Sequence, residues 1–513
     1  MAPKSFCARR LTTLLVCCLC QGLDHLPLAV GHDLQPSVAV IGAGIGGSTA
    51  SYFLRELLGN EVEIVVFDAA RKAGGRTDHF VHDGQTLETG ASIIYTGNAH
   101  LFNLTERVNL TRVDLPKHEG PNTGLWDGER FVLTTTDWQL ANLLRMAWRY
   151  GTSLLSLRSM VNDALAKFDR IYDLQADGRV FATPEELWGE VGLLDLSRMT
   201  IAEHFRERVG RAGSLVENEL GHAANRVNYN QDNGLNALAG VVSLCPAVTG
   251  DLFKVEGGNA RLSEELLRAS ATELRLNTTV TGVVGSTKDG YSLYGGDGQA
   301  KLGSFDAVAI AAPISLAGIA LDVRGKDGSR EMLRQPLPRV EYQEVHTLFV
   351  RGVVDRAYFN LGPLEEVPPS VLLTESAADL AFSSLARYTW VNAAEGLGIY
   401  KLFSRQELWT GVLDALFVDG SWDILHRREW RAYPVLTPKQ AFAPAMLFEG
   451  HPLWYLSSLE EGVSAMEISA IAAKNAALGI AQALRSKQGD EKRPKPTFNS
   501  LASESVDGPS AEL

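Results

Sequence analysis

The stretch from Ser37 to Asp68 constrains this chain more than any other. Ser37–Ile41 (SVAVI) reads as a short buried strand, Ser48–Leu58 as a helix of small and apolar residues, and Glu61–Asp68 (EVEIVVFD) as a second strand. A strand, a glycine turn, a helix and a strand within about thirty residues form a βαβ unit, which requires a parallel sheet. At the first junction stands Gly42-Ala43-Gly44-Ile45-Gly46-Gly47. Gly42 permits the tight turn, Gly44 lets a pyrophosphate approach the backbone, and Gly47 allows the helix to pack closely on the strand. Asp68 is 21 residues past Gly47, where a carboxylate can accept hydrogen bonds from ribose hydroxyls. The expected fold is α/β: a doubly wound, Rossmann-type dinucleotide domain.

NAD and FAD share that fingerprint. The next segments separate them: Ala73-Gly74-Gly75-Arg76 follows the second strand, and Leu87-Glu88-Thr89-Gly90-Ala91-Ser92 comes soon after. Here the sequence resembles flavin amine oxidases and phytoene desaturases. The resemblance implies that Gly74, Gly75 and Arg76 meet the pyrophosphate of FAD, and that the amides around Gly90, Ala91 and Ser92 meet the flavin ring. Near the C-terminus, Trp454–Leu456 reads as a strand leading to a helix from about Ala465 and Met466. In the resembling enzymes the positive end of such a helix faces the flavin, where it would stabilise negative charge. Val280, in the strand-like segment Leu274–Val284, is counted with these cofactor residues, as is Gly46.

A net charge of -13 gives no general attraction to phosphate backbones, so nucleic acid is not an expected partner. The histidines show no ligand spacing, so no metal is expected. Lys4, Arg9 and Arg10 precede the apolar run Leu11–Cys20, a signal-peptide shape within residues 1–31 with cleavage expected between about residues 20 and 31. Cys7, Cys17, Cys18 and Cys20 would leave with it, and Cys245 in VVSLCPAV would remain as a core thiol. Luminal entry would make Asn103, Asn109 and Asn277, each in an Asn-x-Thr sequon, glycosylation acceptors. The polar residues 486–513 read as a disordered tail.

Between Thr136 and Phe168 the chain carries long helical stretches in which Arg145, Arg149 and Arg158 interrupt apolar residues. These read as core-facing helices, with Leu143, Leu144, Met146, Trp148, Leu154 and Leu155 as candidates for an apolar pocket. The alternative is a helix on a membrane surface, and so a peripheral membrane association. Strand character returns at Phe305–Ala312, Glu344–Val350 and Gly398–Phe403. The cofactor domain is expected from residues 36–100, 250–320 and 425–485. An inserted α+β substrate domain is expected from 101–249 and 321–424, as in flavin amine oxidases.

A closer resemblance rests on Arg226–Gln231 (RVNYNQ), Val255–Asn259 (VEGGN), Trp430–Pro434 (WRAYP) and Ser464–Ala473 (SAMEISAIAA). Together these are similar to the prenylcysteine oxidase family, called farnesylcysteine lyases in plants, in order from about Val38 to Leu478. The resemblance implies FAD-dependent oxidative cleavage of an S-prenylcysteine thioether, with O2 as acceptor, giving a prenyl aldehyde, cysteine and hydrogen peroxide. It also implies a luminal location, in a lysosome or vacuole. Asn228, Tyr229, Glu256 and Asn259 are the pocket candidates. Lys401 and His346, on expected strands, are candidates to face the reacting centre through water. Another FAD oxidase acting on amines or lipids, or a lipid-binding flavoprotein without turnover, would share the cofactor motifs.

Overall fold

The computed structural model describes residues 35–115, 123–210, 213–249, 251–296, 298, 300–325 and 328–487. The expected leader with its four cysteines lies outside the described residues, as does the expected tail beyond 487. Ser486 and Lys487, assigned to that tail from sequence, complete the last helix.

Five strands, β1 (Ser37–Ile41), β2 (Glu63–Phe67), β3 (Glu273–Arg275), β4 (Ala307–Ile310) and β5 (Leu453–Tyr455), lie parallel in the order β3-β2-β1-β4-β5. Their Val, Ile and Ala runs lack polar alternation because both faces are covered. The helices used below are α1 (Ile45–Leu58), α2 (Ala99–Arg107), α3 (Gln139–Tyr150), α4 (Ser153–Ala176), α5 (Ala237–Thr249) and α6 (Met466–Lys487). On one face Val38, Val40, Ile64 and Val66 pack in the same core as α1 and α6. On the other, Ala39, Ile41, Val65 and Phe67 meet Val283, Tyr291 and Leu293 of a four-stranded sheet. Each fully buried Val or Ile here contributes about 2 kcal/mol, so the sheet is a rigid base for its C-terminal loops.

A seven-stranded sheet forms the second layer, from Asp423–Pro434 through Tyr342–Val353, Leu397–Ser404, Ser384–Asn392, Ser370–Leu373 and Thr123–Trp126 to Phe131–Thr134. The Asp423–Pro434 strand pairs with Tyr342–Val353 there, which corrects its expected place in the cofactor domain. The expected strand Leu274–Val284 is two strands, β3 and Val280–Ser286, in two different sheets.

The helices between α3 and α5 pack together, but not all as expected. Leu143, Leu144, Trp148 and Leu155 face solvent, so these four are not core residues, whereas Met146 and Leu154 pack against the core. The hydrophobic count of α3 was legible in sequence, but the side that faces inward was not. No helix of the described residues is long and apolar enough to cross a membrane.

Candidate active site

The loops after β1 and β4 diverge at the point where strand order reverses, the usual place for a ligand in a doubly wound sheet. A cavity of about 1180 Å³, including its mouth, opens there between Gly42, Gly44, Gly46, Asp68, Gly74, Gly75 and Arg76 on one side and Ala311–Pro313 on the other. Gly42 adopts a φ of +111°, which lets its amide donate to Phe67 O at 2.7 Å while the chain turns into α1. Gly74 N donates to Ala43 O at 3.0 Å, clamping the two glycine loops together. No side chain caps α1 at Gly44. Its first-turn amides, which have no partner within the helix, therefore remain available to an anion. Asp68 spends one oxygen on Ala43 N at 2.7 Å and the other on Ala70 N at 2.7 Å, and still lines the cavity. This is a cradle that fits a dinucleotide.

Gly90, Ala91 and Ser92 form a turn held from three sides. Ala91 N donates to Arg76 O at 3.2 Å, Asn259 Nδ2 donates to Ala91 O at 3.0 Å, and Lys401 Nζ donates to Ser92 Oγ at 2.6 Å. Gly90 is obligatory, since a Cβ would lie 2.0 Å from Arg76 O. Lys401 is buried, and that burial holds its ammonium down at about 7 against the opposing pull of Glu88. Burial likewise pushes Glu88 up to about 7, although Asn259 N donates to it at 2.6 Å.

A second cavity of about 1220 Å³, including its mouth, adjoins the first. Its apolar wall comes from Leu165 and Phe168 of α4, Leu238, Val241 and Val242 of α5, and Tyr229. Its polar groups include Asn98, Asp169, Tyr172, Asn228 and Glu467. Glu467 accepts from the amides of His100 at 2.8 Å and Leu101 at 3.0 Å and from Tyr172 Oη at 2.9 Å, yet burial still raises it to about 7. The two cavities share Ala91, Tyr433, Ser464, Ala465 and Met466. A planar group seated against those residues would touch both spaces.

Most residues singled out from sequence converge on these cavities. Gly47 lies behind the cradle, where a Cβ would sit 1.7 Å from Gly42 O. Asn228 and Tyr229 line the apolar cavity. Asn259 does not; it braces the Ala91 turn through its side chain. Glu256 is exposed beside a separate cleft with Gln85 and Lys254, which corrects its placement in the pocket. Val280 is buried with Val65 and Phe67 and lines neither cavity. Lys401 and His346 part company. Lys401 pairs in register with Phe349, whereas His346 pairs with Ser404, three strand positions along and so on the opposite face of the sheet. Leu143, Leu144, Met146, Trp148, Leu154 and Leu155 are absent from the cavity walls; Ala164, Leu165 and Phe168, farther along α4, take that place. Asn103, Asn109 and Asn277 are all exposed. Among the described residues no group of three or more His, Cys, Asp or Glu could hold a metal ion.

The prenylcysteine lyase family model matches residues 133–491. The chain belongs to that family. A Rossmann-like NAD(P)-binding model matches residues 40–108, the fingerprint region. Prenylcysteine oxidase 1 of Mus musculus is 31% identical over 484 residues, covering 91% of this chain and 92% of the relative. Farnesylcysteine lyase of Arabidopsis thaliana is 30% identical over 478 residues, covering 90% and 91%. Among solved structures, cyclohexylamine oxidase from Brevibacterium oxydans superposes with a TM-score of 0.56 at 18% identity, covering 88% of this chain and all 100% of the other. A putrescine oxidase double mutant does so with 0.56 at 18%, covering 87% and 99%. These two show the fold alone: that of the flavin amine oxidases, as expected.

Within this family member, sequence reading missed several residues at the site. Glu460 pairs with Arg76 and accepts from Tyr342 Oη at 2.6 Å, so the cradle arginine already has a buried carboxylate partner. Arg428 NH2 lies 3.4 Å from Gly75 O. Tyr433 stacks edge-on with Tyr229, with ring centroids 5.3 Å apart at the shared wall. Tyr433 and Glu467 stood inside the family-like segments, which was the available signal. Glu88 stood inside the Leu87–Ser92 segment as well, although an acidic residue in a short strand reads as surface.

Proposed function

We propose that this protein is an FAD-dependent oxidase that cleaves the thioether of S-prenylcysteine, forming a prenyl aldehyde, cysteine and hydrogen peroxide at the expense of O2 and water. The observation that carries this reading is the shared wall of Ala91, Tyr433, Ser464, Ala465 and Met466 between a dinucleotide cradle and an apolar cavity. The family relatives named prenylcysteine oxidase and farnesylcysteine lyase supply the substrate class.

Bound FAD supplies the hydride acceptor. The substrate C1 is allylic and next to sulfur, so the cation left by hydride loss is stabilised from both sides, and no protein nucleophile is needed. The apolar wall of α4 and α5 takes the isoprenoid, orients C1 and excludes bulk water. Cys245 lines that wall, but burial pushes its thiol up to about 12, which makes it a poor nucleophile. Water adds to the cation at C1 while Lys401 is in the neutral form that burial favours: the water proton passes to Ser92 Oγ as the Ser92 hydroxyl proton passes to Lys401 Nζ, 2.6 Å away. The resulting hemithioacetal loses cysteine as its C–S bond breaks, sulfur regaining a proton as the aldehyde forms. Asn228, Tyr172 and the carboxylates of Asp169 and Glu467 offer polar partners for a free amino-acid head group.

A luminal location, in a lysosome or vacuole, belongs to the same reading, supported by the leader shape and the exposed sequons. So does peripheral association with membranes, given an amphiphilic substrate. Purified protein should be yellow, and should release peroxide with farnesylcysteine but not with a polyamine. Peroxide from the polyamine alone would replace this reading with an amine oxidase.

A further inference from the structure

Helix α3 buries Tyr150 in the core and packs Met146 against it, but carries a larger apolar stripe on its outer side. Leu140, Leu143, Leu144 and Trp148 recur at the three- and four-residue spacing of one helical stripe, and that stripe faces out. Beside Met146 and Tyr150 the inner side also holds Asn142, which accepts from Thr136 N at 2.8 Å, and Arg149, which pairs with Glu219 at 2.5 Å. With Trp138 before the helix and Leu155 at the start of α4, the exposed large side chains are Trp138, Leu140, Leu143, Leu144, Trp148 and Leu155, from 61% to 89% exposed. Scattered exposed leucines need no explanation, but a contiguous apolar face does.

The charge around this face is equally uneven. Between Asp137 and Asp163 the sequence has Arg145, Arg149 and Arg158 and no acidic residue, in a chain of net charge -13, and Arg149 is paired with Glu219. Arg145 and Arg158 are exposed, and among the described residues neither forms an ion pair. Two tryptophans, an aliphatic stripe and flanking arginines are the composition of a helix lying in the headgroup region of a bilayer. Helix α4 links this face to the apolar cavity: Leu155 stands in its first turn, and Ala164, Leu165 and Phe168 of the same helix line the cavity wall.

We propose that α3, together with the first turn of α4, docks this protein on an anionic lipid bilayer. Resting on the function proposed above, the docked orientation serves to pass an isoprenoid substrate from the membrane along α4 into the cavity.

Flotation of the full chain with vesicles tests this. The protein should float with phosphatidylcholine vesicles containing phosphatidylserine, and more weakly with phosphatidylcholine alone. Leu144→Ser with Trp148→Ser should weaken partitioning about tenfold or more, and Arg145→Glu with Arg158→Glu about fivefold per arginine on the anionic vesicles only. Leu364→Ser, at a residue 98% exposed elsewhere on the surface, should change nothing. Absence of flotation, or flotation unaffected by the α3 substitutions, overturns the proposal. So does a concentration-dependent self-association that the same substitutions abolish without any vesicle binding, because a second copy would then cover the face. Turnover of dispersed farnesylcysteine, unchanged in the α3 variants, keeps the two readings apart. If the wild type lacks that turnover the function fails, and flotation still decides the docking.

Discussion

Two glycines three residues apart should fail in opposite ways. A Cβ on Gly47 would lie 1.7 Å from Gly42 O and 2.9 Å from Gly42 C, both backbone atoms of the turn between β1 and α1. Nothing flexible can yield, so α1 must move off the sheet. Overpacking of this kind costs on the order of 3 kcal/mol, which lowers the Tm of a large domain by about 5 °C or more. A Cβ on Gly44 meets nothing nearer than 3.6 Å, and its φ of -79° and ψ of -170° are open to a branched residue. Gly44→Val should therefore leave the apo protein within about 1 kcal/mol of wild type, while its side chain occupies the space in which the pyrophosphate meets the backbone. The assay is thermal unfolding of the apo forms beside flavin absorbance after titration with FAD. Gly47→Ala should lose stability, and Gly44→Val should lose flavin but not stability. Flavin retention by Gly44→Val at wild-type affinity, or wild-type Tm in Gly47→Ala, would refute the placement of the cradle.

Lys401→Met should stabilise the protein in a pH-dependent way. Because burial holds the folded Lys401 down at about 7, the unfolded chain binds the extra proton between there and the ordinary lysine range, so the penalty is full below about pH 7 and fades as pH rises. Urea titrations should give Lys401→Met a gain of a few kcal/mol near pH 6 and almost none near pH 10; a pH-independent gain would contradict the buried ammonium. Arg76→Ala should destabilise by on the order of 2 kcal/mol, because it strips the buried Glu460 of its partner, and adding Glu460→Gln should recover most of that; additive losses would mean the pair is not coupled. Val242→Trp should raise KM for farnesylcysteine about tenfold or more by filling the apolar cavity, with the flavin spectrum unchanged. Peroxide assays with farnesylcysteine, its N-acetyl form and a farnesylated tetrapeptide should favour the free amino acid, and equal kcat/KM values for all three would remove the head-group contribution of Asn228, Asp169 and Glu467.

The cradle was readable from sequence because its chemistry is local. Gly42, Gly44, Gly47 and Asp68 sit within one βαβ unit, and their roles rest on a tight turn, a close backbone approach, close helix packing and a carboxylate. The same held for Gly74 to Arg76. What failed depended on three-dimensional register or on facing. Lys401 and His346 were indistinguishable as residues on strands, yet their odd spacing in the register puts only Lys401 on the face of Phe349. Glu256 and Asn259 belong to the same family-like segment, but one is exposed and the other is locked between Glu88 and Ala91. For α3 the spacing gave the right helix and the wrong side. An apolar stripe looks the same in sequence whether a core or a membrane covers it. Val280 is buried at the start of its strand and lines neither cavity, a position that a strand valine in sequence does not distinguish from a cavity wall.

If the cradle and the apolar cavity serve one reaction, an anaerobic single turnover will show it. FAD-loaded protein is mixed with farnesylcysteine in the absence of O2, flavin absorbance is followed to completion, and the quenched mixture is assayed for farnesal and cysteine. Bleaching of the flavin should be matched by equimolar farnesal and cysteine. Flavin that stays oxidised while farnesylcysteine remains intact, or that bleaches without releasing both products, would contradict it.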